Sequence, residues 1–167
     1  MYSLNTWRRL EFYRRKGFAH ERDFARRLWS LGFAVIRAPA SGSKVKKTIY
    51  PDIVAIMNKE VFVFELKTCS REKTIYIPRI QILKMREFLK RSGGRGFIGI
   101  KIIGTGVWKI VPIEELEETS SGNYKITIDK LKKSLRLRDL LSIIRKTRSI
   151  DEYLNRDRFN QSVSQDP

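Results

Sequence analysis

The chain has 167 residues, 41% of them hydrophobic, which is enough for one domain with a core and argues against a second independent domain. A single cysteine excludes an intrachain disulfide, and together with a single histidine it argues against a zinc site of four protein ligands. No apolar run approaches the length of a membrane span, and no secretory signal is recognisable, so we expect a cytoplasmic protein without membrane association.

The charge is strongly basic, because 35 lysines and arginines stand against 18 acidic residues and give a net charge of +17. Residues 1–50 carry +9, residues 51–111 carry +7 and residues 112–167 carry +1. Such an excess is typical of proteins with a polyanionic partner, and we predict a nucleic-acid surface in the first two thirds. The alternatives are a membrane surface, the ribosome, or the solvated surface of a heat-adapted protein.

The first 16 residues form a predicted basic arm, which can become helical on contact with a phosphate backbone. Gly17 is predicted to separate this arm from a folded domain that covers residues 17–150. Apolar residues at helical spacing predict a first helix over residues 18–30, and a short strand is expected over residues 33–37.

A loop of small and basic residues follows and extends to about residue 48. Two apolar runs then flank Asn58-Lys59, and this pattern predicts a β-hairpin of residues 53–57 and 61–64. Because both runs are apolar without alternation, we expect this hairpin to be central and buried on both faces.

The rest of the chain alternates between helical and strand patterns and ends in a polar tail, residues 151–167, that we expect to be disordered. The predicted elements are a helix at 78–91, strands at 97–102 and 107–111, an acidic turn or short helix at 114–118, a strand at 124–128 and a helix at 137–148. This order predicts an α/β fold, a single domain whose central mixed β-sheet is flanked by helices.

The hairpin register predicts a cluster of charged residues at one end of the sheet. A two-residue loop at Asn58-Lys59 makes paired positions sum to 117, so Asp52 lies opposite Glu65. Lys67 shares that face because it lies two residues beyond Glu65.

Two neighbouring carboxylates at the end of an apolar hairpin are costly without a positive charge between them. A divalent cation supplies that charge, and Mg²⁺, with Mn²⁺ as a substitute, suits two carboxylates completed by substrate phosphate oxygens. Lys67 would then orient or deprotonate a nucleophilic water. The alternative is a structural ion pair between Glu65 and Lys67, which does not account for Asp52.

Glu21 is predicted to face inward, because Phe24, Ala25 and Leu28 lie three, four and seven residues after it. An inward carboxylate needs a partner, which is either an arginine such as Arg37 or the same metal ion. Catalysis would in any case rest on carboxylates and lysines, since there is one histidine and no nucleotide-binding loop of the GxxxxGK[ST] type.

Four segments together resemble the archaeal Holliday junction resolvases of the PD-(D/E)xK nuclease superfamily, over about residues 16–145. They are Ala19-His-Glu-Arg-Asp-Phe, Gly32-Phe-Ala-Val-Ile-Arg-Ala-Pro-Ala-Ser-Gly-Ser, Pro51-Asp-Ile-Val-Ala and Glu65-Leu-Lys. The resemblance implies a restriction-endonuclease-like fold, a nuclease domain at residues 17–150, a homodimer, and Mg²⁺-dependent resolution of four-way junctions by paired symmetric nicks.

The resemblance also implies roles for individual residues. Glu21, Asp52 and Glu65 would bind the metal ion, with Asp52, Glu65, Lys67 and Ser41 catalytic. The implied DNA-binding residues are Arg22, Arg37 and Gln81, to which we add the lysines of the loop, Lys44, Lys46 and Lys47.

The alternatives at this point are a sequence-specific or repair endonuclease of the same fold, and a non-catalytic protein that binds branched DNA. Nothing in the sequence supports a sliding clamp or a recombination protein as a partner.

Overall fold

In the computed structural model, the backbone is described for residues 4–38 and 50–145, and side chains for residues 17–38 and 50–145. The chain divides into two compact units, Met1–Leu137 and Arg138–Pro167, and the second contains a helix over the described residues 139–145. The loop with Ser41, Lys44, Lys46 and Lys47 and the tail 151–167 lie outside the described residues.

The first helix, α1, covers Leu4–Ser30, so the predicted start near residue 18 is wrong. Glycine in a helix costs only about 1 kcal/mol relative to alanine, and the lysine and arginine residues before Gly17 favour a helix. The helix ends where predicted, with Gly32 at a φ of 97°, and β1 (Ala34–Arg37) follows. The division of the chain into an arm and a domain stays a prediction.

The predicted hairpin is confirmed, with β2 at Ile53–Met57 and β3 at Glu60–Cys69. Its loop residues Asn58 and Lys59 have φ values of 51° and 68°, as a tight two-residue hairpin loop requires. The register pairs Met57 with Glu60 and continues without a bulge to Ile53 and Phe64. The register therefore matches the one predicted from the sequence.

The later strands of the first unit complete the larger sheet, which contains β1–β3, and build a second, smaller sheet. The later elements are β4 (Ile75–Ile77), α2 (Arg79–Ser92), β5 (Arg95–Ile102), β6 (Trp108–Pro112), a 3-10 helix (Ile113–Glu115), β7 (Glu117–Glu118), β8 (Tyr124–Ile126) and α3 (Ile128–Lys133). The larger sheet has the order β1-β2-β3-β5-β6, and the smaller one has the order β4-β8-β7.

The larger sheet is mixed, since β3 and β5 are parallel and its other neighbours are antiparallel. On one face α1 buries Phe24, whose ring contacts Phe64 and Trp108. On the other face α2 buries Ile82 in a cluster that includes Val63. The predicted α/β fold with a central mixed sheet is confirmed.

Burial of the hairpin on both faces is confirmed only for β3, where Phe62, Val63 and Phe64 are fully buried. The prediction is wrong for β2, because Val54 and Ile56 are only partly buried. The cause is the position of α2, which packs against β3 and β5 and leaves β1 and β2 open on that face.

The smaller sheet is largely absent from the sequence prediction, which gave only β8, and α3 was missed as well. Strands of two or three residues are too short for an alternating pattern to reveal them. Among the described helices, none has both the length and the hydrophobicity that a membrane crossing requires.

Candidate active site

Asp52 lies at the open end of the hairpin, one position before β2. Its Oδ2 accepts a hydrogen bond of 2.7 Å from the backbone N–H of Leu66, the residue after Glu65. Its carbonyl oxygen accepts a second bond, of 3.0 Å, from the N–H of Ala38 after β1. These two bonds hold Asp52 between its neighbouring strands, beside Glu65 as the register predicts.

Burial and a neighbouring carboxylate raise the pKa of Asp52 to about 7, from an ordinary value near 3.8. Burial is the largest cause, the negative charge of Glu65 is second, and Glu21 contributes in the same direction. The Leu66 N–H and the Lys67 ammonium oppose the shift. The carboxylates of Glu21, Asp52 and Glu65 therefore interact electrostatically, as their predicted convergence requires.

Lys67 donates a hydrogen bond of 2.7 Å from Nζ to Oε1 of Glu65. The two side chains remain 22% and 16% exposed, so solvent and a substrate can reach the pair. The ion pair that was the alternative to catalysis is thus present. It leaves Asp52 unexplained, because Asp52 carries a raised pKa despite that pair.

Glu21, on α1, is bound by Arg37 from the end of β1, with Nη1 3.4 Å from Oε2. Burial raises the pKa of Glu21, Arg37 partly offsets that shift, and the charge of Glu65 adds to it. Of the two partners considered for Glu21, the structure contains the arginine. The charge of Glu65 therefore reaches Glu21, although no hydrogen bond joins Glu21 to the hairpin carboxylates in the described part of the chain.

Asp23 is a structural residue that the sequence analysis did not single out. Its carboxylate accepts hydrogen bonds from Lys101 Nζ at 2.8 Å and Trp108 Nε1 at 2.9 Å, and also from Arg27. Burial alone would raise the pKa of Asp23, but these donors outweigh it and hold the pKa far below its usual range. Asp23 thereby anchors α1 to the sheet two residues after Glu21.

Of the remaining predicted site residues the structure describes Arg22 and Gln81, and neither forms a hydrogen bond or ion pair with this cluster. Arg22 is exposed on α1, and Gln81 lies in the first turn of α2 with a buried Oε1 that has no hydrogen-bond partner in the described part of the chain. Ser41 and the three loop lysines are among the undescribed residues. A concavity of about 640 Å³ near Tyr76 is lined by none of the predicted site residues.

No group of three or more His, Cys, Asp or Glu side chains in the described ranges is arranged to hold a metal ion. The donor set fits an ion held by two carboxylates, Asp52 and Glu65, with water and substrate phosphate oxygens as the other ligands, which is typical of Mg²⁺. The raised pKa of Asp52 is consistent with this fit, because burial first and the neighbouring charge of Glu65 second disfavour its ionised form where no cation is bound.

Comparisons with known proteins agree on one family. The model described as archaeal Holliday junction resolvase (Hjc) matches residues 12–149. The crossover junction endodeoxyribonuclease Hjc of Sulfurisphaera tokodaii is 38% identical over 141 residues, 83% of this chain and 96% of that protein. The Hjc of Sulfolobus acidocaldarius is 36% identical over 129 residues, 77% of this chain and 88% of that protein.

A solved structure has the same fold. Hjc of Archaeoglobus fulgidus, a Holliday junction resolvase from an archaeal hyperthermophile, superposes with a TM-score of 0.65 at 27% sequence identity. The match covers 74% of this chain and 97% of that one.

Proposed function

The chain belongs to the archaeal Holliday junction resolvase family, and we propose that Asp52, Glu65 and Lys67 form the centre with which it cuts DNA. It is a crossover junction endodeoxyribonuclease. The observation that carries the proposed site is the hairpin end, where a buried Asp52 with a raised pKa lies beside the Glu65–Lys67 pair.

Nucleases of this family depend in general on a divalent metal ion, which we infer to be Mg²⁺ with Mn²⁺ able to replace it. Asp52 and Glu65 would bind the ion directly. Glu21 would join them as a third ligand only by exchanging Arg37 for the ion, because in the described ranges the three carboxylates are not arranged around one point. A divalent ion at this position lowers the pKa of a bound water and neutralises charge on the phosphate that is attacked.

Lys67 and Arg37 supply the positive charges that belong to the protein itself. Glu65 holds Nζ of Lys67 at the edge of the site, where the ammonium can orient the attacking water. The amine could accept a proton from that water only after it had lost one of its own. Arg37 is held by Glu21 and is 34% exposed, so that its guanidinium can also contact a DNA phosphate.

The loop between β1 and β2 would add to this site. The N–H of Ala38, at the start of the loop, donates a hydrogen bond to the carbonyl oxygen of Asp52, at its end. Both ends of the loop therefore lie beside the carboxylates. We assign a catalytic role to Ser41 of this loop and phosphate binding to Lys44, Lys46 and Lys47. Further DNA contacts are assigned to Arg22 and Gln81.

The open sheet face, formed by Ala34, Ile36, Val54 and Ile56, is the surface that we assign to a homodimer. Ala34 pairs with Ile56 and Ile36 with Val54, so the four side chains are neighbours across β1 and β2. Ile36 is 62% exposed, an unusual state for a large apolar residue in a sheet. The face continues into the site, because Asp52 lies two residues before Val54.

A second copy packed on this face would bring two sites close to one two-fold axis. A four-way junction also has approximate two-fold symmetry, and its productive resolution requires two symmetric nicks on opposing strands. An isologous dimer supplies that geometry.

Ile36→Asp should weaken the dimer, because a carboxylate would be buried against its own symmetry mate. We expect the dissociation constant of the dimer to rise at least about 10²-fold, which corresponds to about 3 kcal/mol of lost association free energy. Sedimentation velocity over a concentration series measures this, with Ile103→Asp, 46% exposed outside the open sheet face, as a matched control. A folded Ile36→Asp protein that stays as dimeric as the control would contradict the interface.

The central test compares an immobile four-way junction with linear duplexes that carry the sequences of its arms. We expect Mg²⁺-dependent paired nicks in the junction and little cleavage of the duplexes. Equal cleavage of both would favour a sequence-specific or repair endonuclease. If Glu65→Ala changed neither cleavage nor metal binding, the chain would instead be a non-catalytic protein that binds branched DNA.

We propose four-way-junction DNA as the partner of the protein, and a cytoplasmic location in which it has access to that DNA.

A further inference from the structure

The outward face of α1 is exposed and basic. Phe24 and Leu28 are fully buried against the sheet, which fixes the direction in which α1 faces the core. Arg22, Arg26 and Trp29 are all exposed, and at about 100° per residue they lie within about 60° of one another, on the side opposite to that apolar pair. This outward face takes no part in the packing of α1 on the sheet.

Arginines also occupy the positions of the outward face in the N-terminal part of α1, residues 4–16, and form a line along the helix with Arg22 and Arg26. The helix begins at Leu4, and positions 8 and 15 fall at nearly the same angle as position 22; both are arginines. From Arg8 to Arg26 the helix rises by about 27 Å, at about 1.5 Å per residue. By sequence, four arginines and one acidic residue, Glu11, occupy positions along this line, an excess of three positive charges.

Trp29 adds an aromatic surface at the C-terminal end of the outward face. Its side chain is 68% exposed, whereas tryptophan is usually well buried in a monomer. An exposed tryptophan beside an arginine is a combination suited to nucleic acid, because the indole can pack against a sugar while the arginine binds the neighbouring phosphate.

We propose that the outward face of α1 is a second DNA-binding surface, which follows the phosphate backbone of one junction arm away from the point of cleavage. The inference rests on the proposed function, since it takes the junction as the substrate. A length of about 27 Å corresponds to about eight base pairs of duplex, at about 3.4 Å per base pair. Because Glu21 of the proposed site is on the same helix and Arg8 lies about 20 Å further along it, the surface would extend along an arm away from the site.

Duplex DNA fits this face better than an anionic membrane does. A helix that lies on a bilayer inserts an apolar face, but the apolar face of α1, with Phe24 and Leu28, is already buried against the sheet. In the described part of the outward face, the large apolar residues are Trp29 and, at its margin, the partly buried Phe18. Arginines outnumber apolar residues along this line, which suits a row of phosphates better than insertion into a bilayer.

The test measures the dissociation constant for two junctions, one with long arms and one with arms shortened to about six base pairs. A chelator is present so that the DNA is not cleaved. The triple variant Arg8→Ala, Arg15→Ala, Arg26→Ala should bind the long-arm junction on the order of 10²-fold more weakly at about 0.1 M salt. The slope of log Kd against log salt should fall by about 2.7, or about 0.9 for each phosphate that the protein no longer neutralises. With short arms the variant and the original protein should differ little.

Two further variants make the result specific. Trp29→Ala should weaken long-arm binding a few-fold without changing the salt slope, because it removes no charge. Arg91→Ala, an equally conservative change at an exposed position of α2, should leave both affinities unchanged. Circular dichroism checks that each variant keeps its helices, which alanine should not disturb.

Equal losses on long and short arms would overturn the proposal, because the arginines would then bind near the branch. Unchanged affinity of the triple variant for DNA would also overturn it. So would binding of the original protein to phosphatidylserine vesicles, if the triple variant lost that binding and the other variants kept it. Failure of the proposed function is distinguishable, since it would show as absent Mg²⁺-dependent cleavage by the original protein. Arm-length-dependent binding is measured separately and does not require cleavage.

Discussion

Replacing Lys67 with alanine should lower the rate of junction cleavage by about 10²- to 10⁴-fold, the range typical of a missing proton-transfer group. The amine lies 2.7 Å from Oε1 of Glu65, within reach of a water bound between that carboxylate and Asp52. Affinity for the uncut junction should stay nearly constant, because the wide basic surface supplies most of the binding energy. Single-turnover cleavage and binding in a chelator measure the two quantities.

Lys90→Ala is the matched control, since it removes a lysine from an exposed position of α2 and should leave cleavage unchanged. A Lys67→Ala protein that lost affinity and cleavage by the same factor would contradict the assignment. Lys67 would then be an anchor for a DNA phosphate rather than a group acting on the nucleophile.

The hairpin explains why much of the site could be predicted from the sequence. A two-residue loop at Asn58-Lys59 fixes the register by local geometry alone, and both residues adopt the required positive φ. Once that register is known, Asp52 must lie beside Glu65. Local signals were therefore sufficient for the part of the site that the hairpin builds.

Features that depend on distant contacts could not be predicted in this way. Asp23 binds Lys101 and Trp108, which follow it by 78 and 85 residues, and no short pattern encodes such a contact. The partner of Glu21 was open between Arg37 and a metal ion for the same reason. Gly17 was interpreted as a boundary because one glycine resembles a helix end, although the surrounding residues keep α1 continuous.

The pH dependence of stability should reveal the unfavourable pairing of Asp52 and Glu65. Burial and the charge of Glu65 raise the pKa of Asp52 from about 3.8 in the unfolded chain to about 7 in the fold. The folded state therefore holds this proton more tightly, and stability is lost as the pH rises from about 4 to about 7. The loss attributable to Asp52 is about 4 kcal/mol, at about 1.4 kcal/mol per pKa unit.

Asp52→Asn should remove that loss, because the amide oxygen can still accept the Leu66 N–H while no charge develops beside Glu65. In a chelator above about pH 7, the variant should therefore be more stable than the original protein in urea unfolding followed by tryptophan fluorescence. Glu114→Gln, an exposed acid-to-amide control, should leave the pH profile unchanged.

Added Mg²⁺ should reverse the order of stability. The cation should stabilise the original protein above pH 7 by binding both carboxylates. It should stabilise the Asp52→Asn variant only slightly, and this variant should also lose junction cleavage. Equal stabilisation of both proteins by Mg²⁺ would show that Asp52 is not a ligand. Burial and the charge of Glu65 make ionised Asp52 unfavourable without metal, and the same two carboxylates, buried side by side, are the groups that would hold the cation.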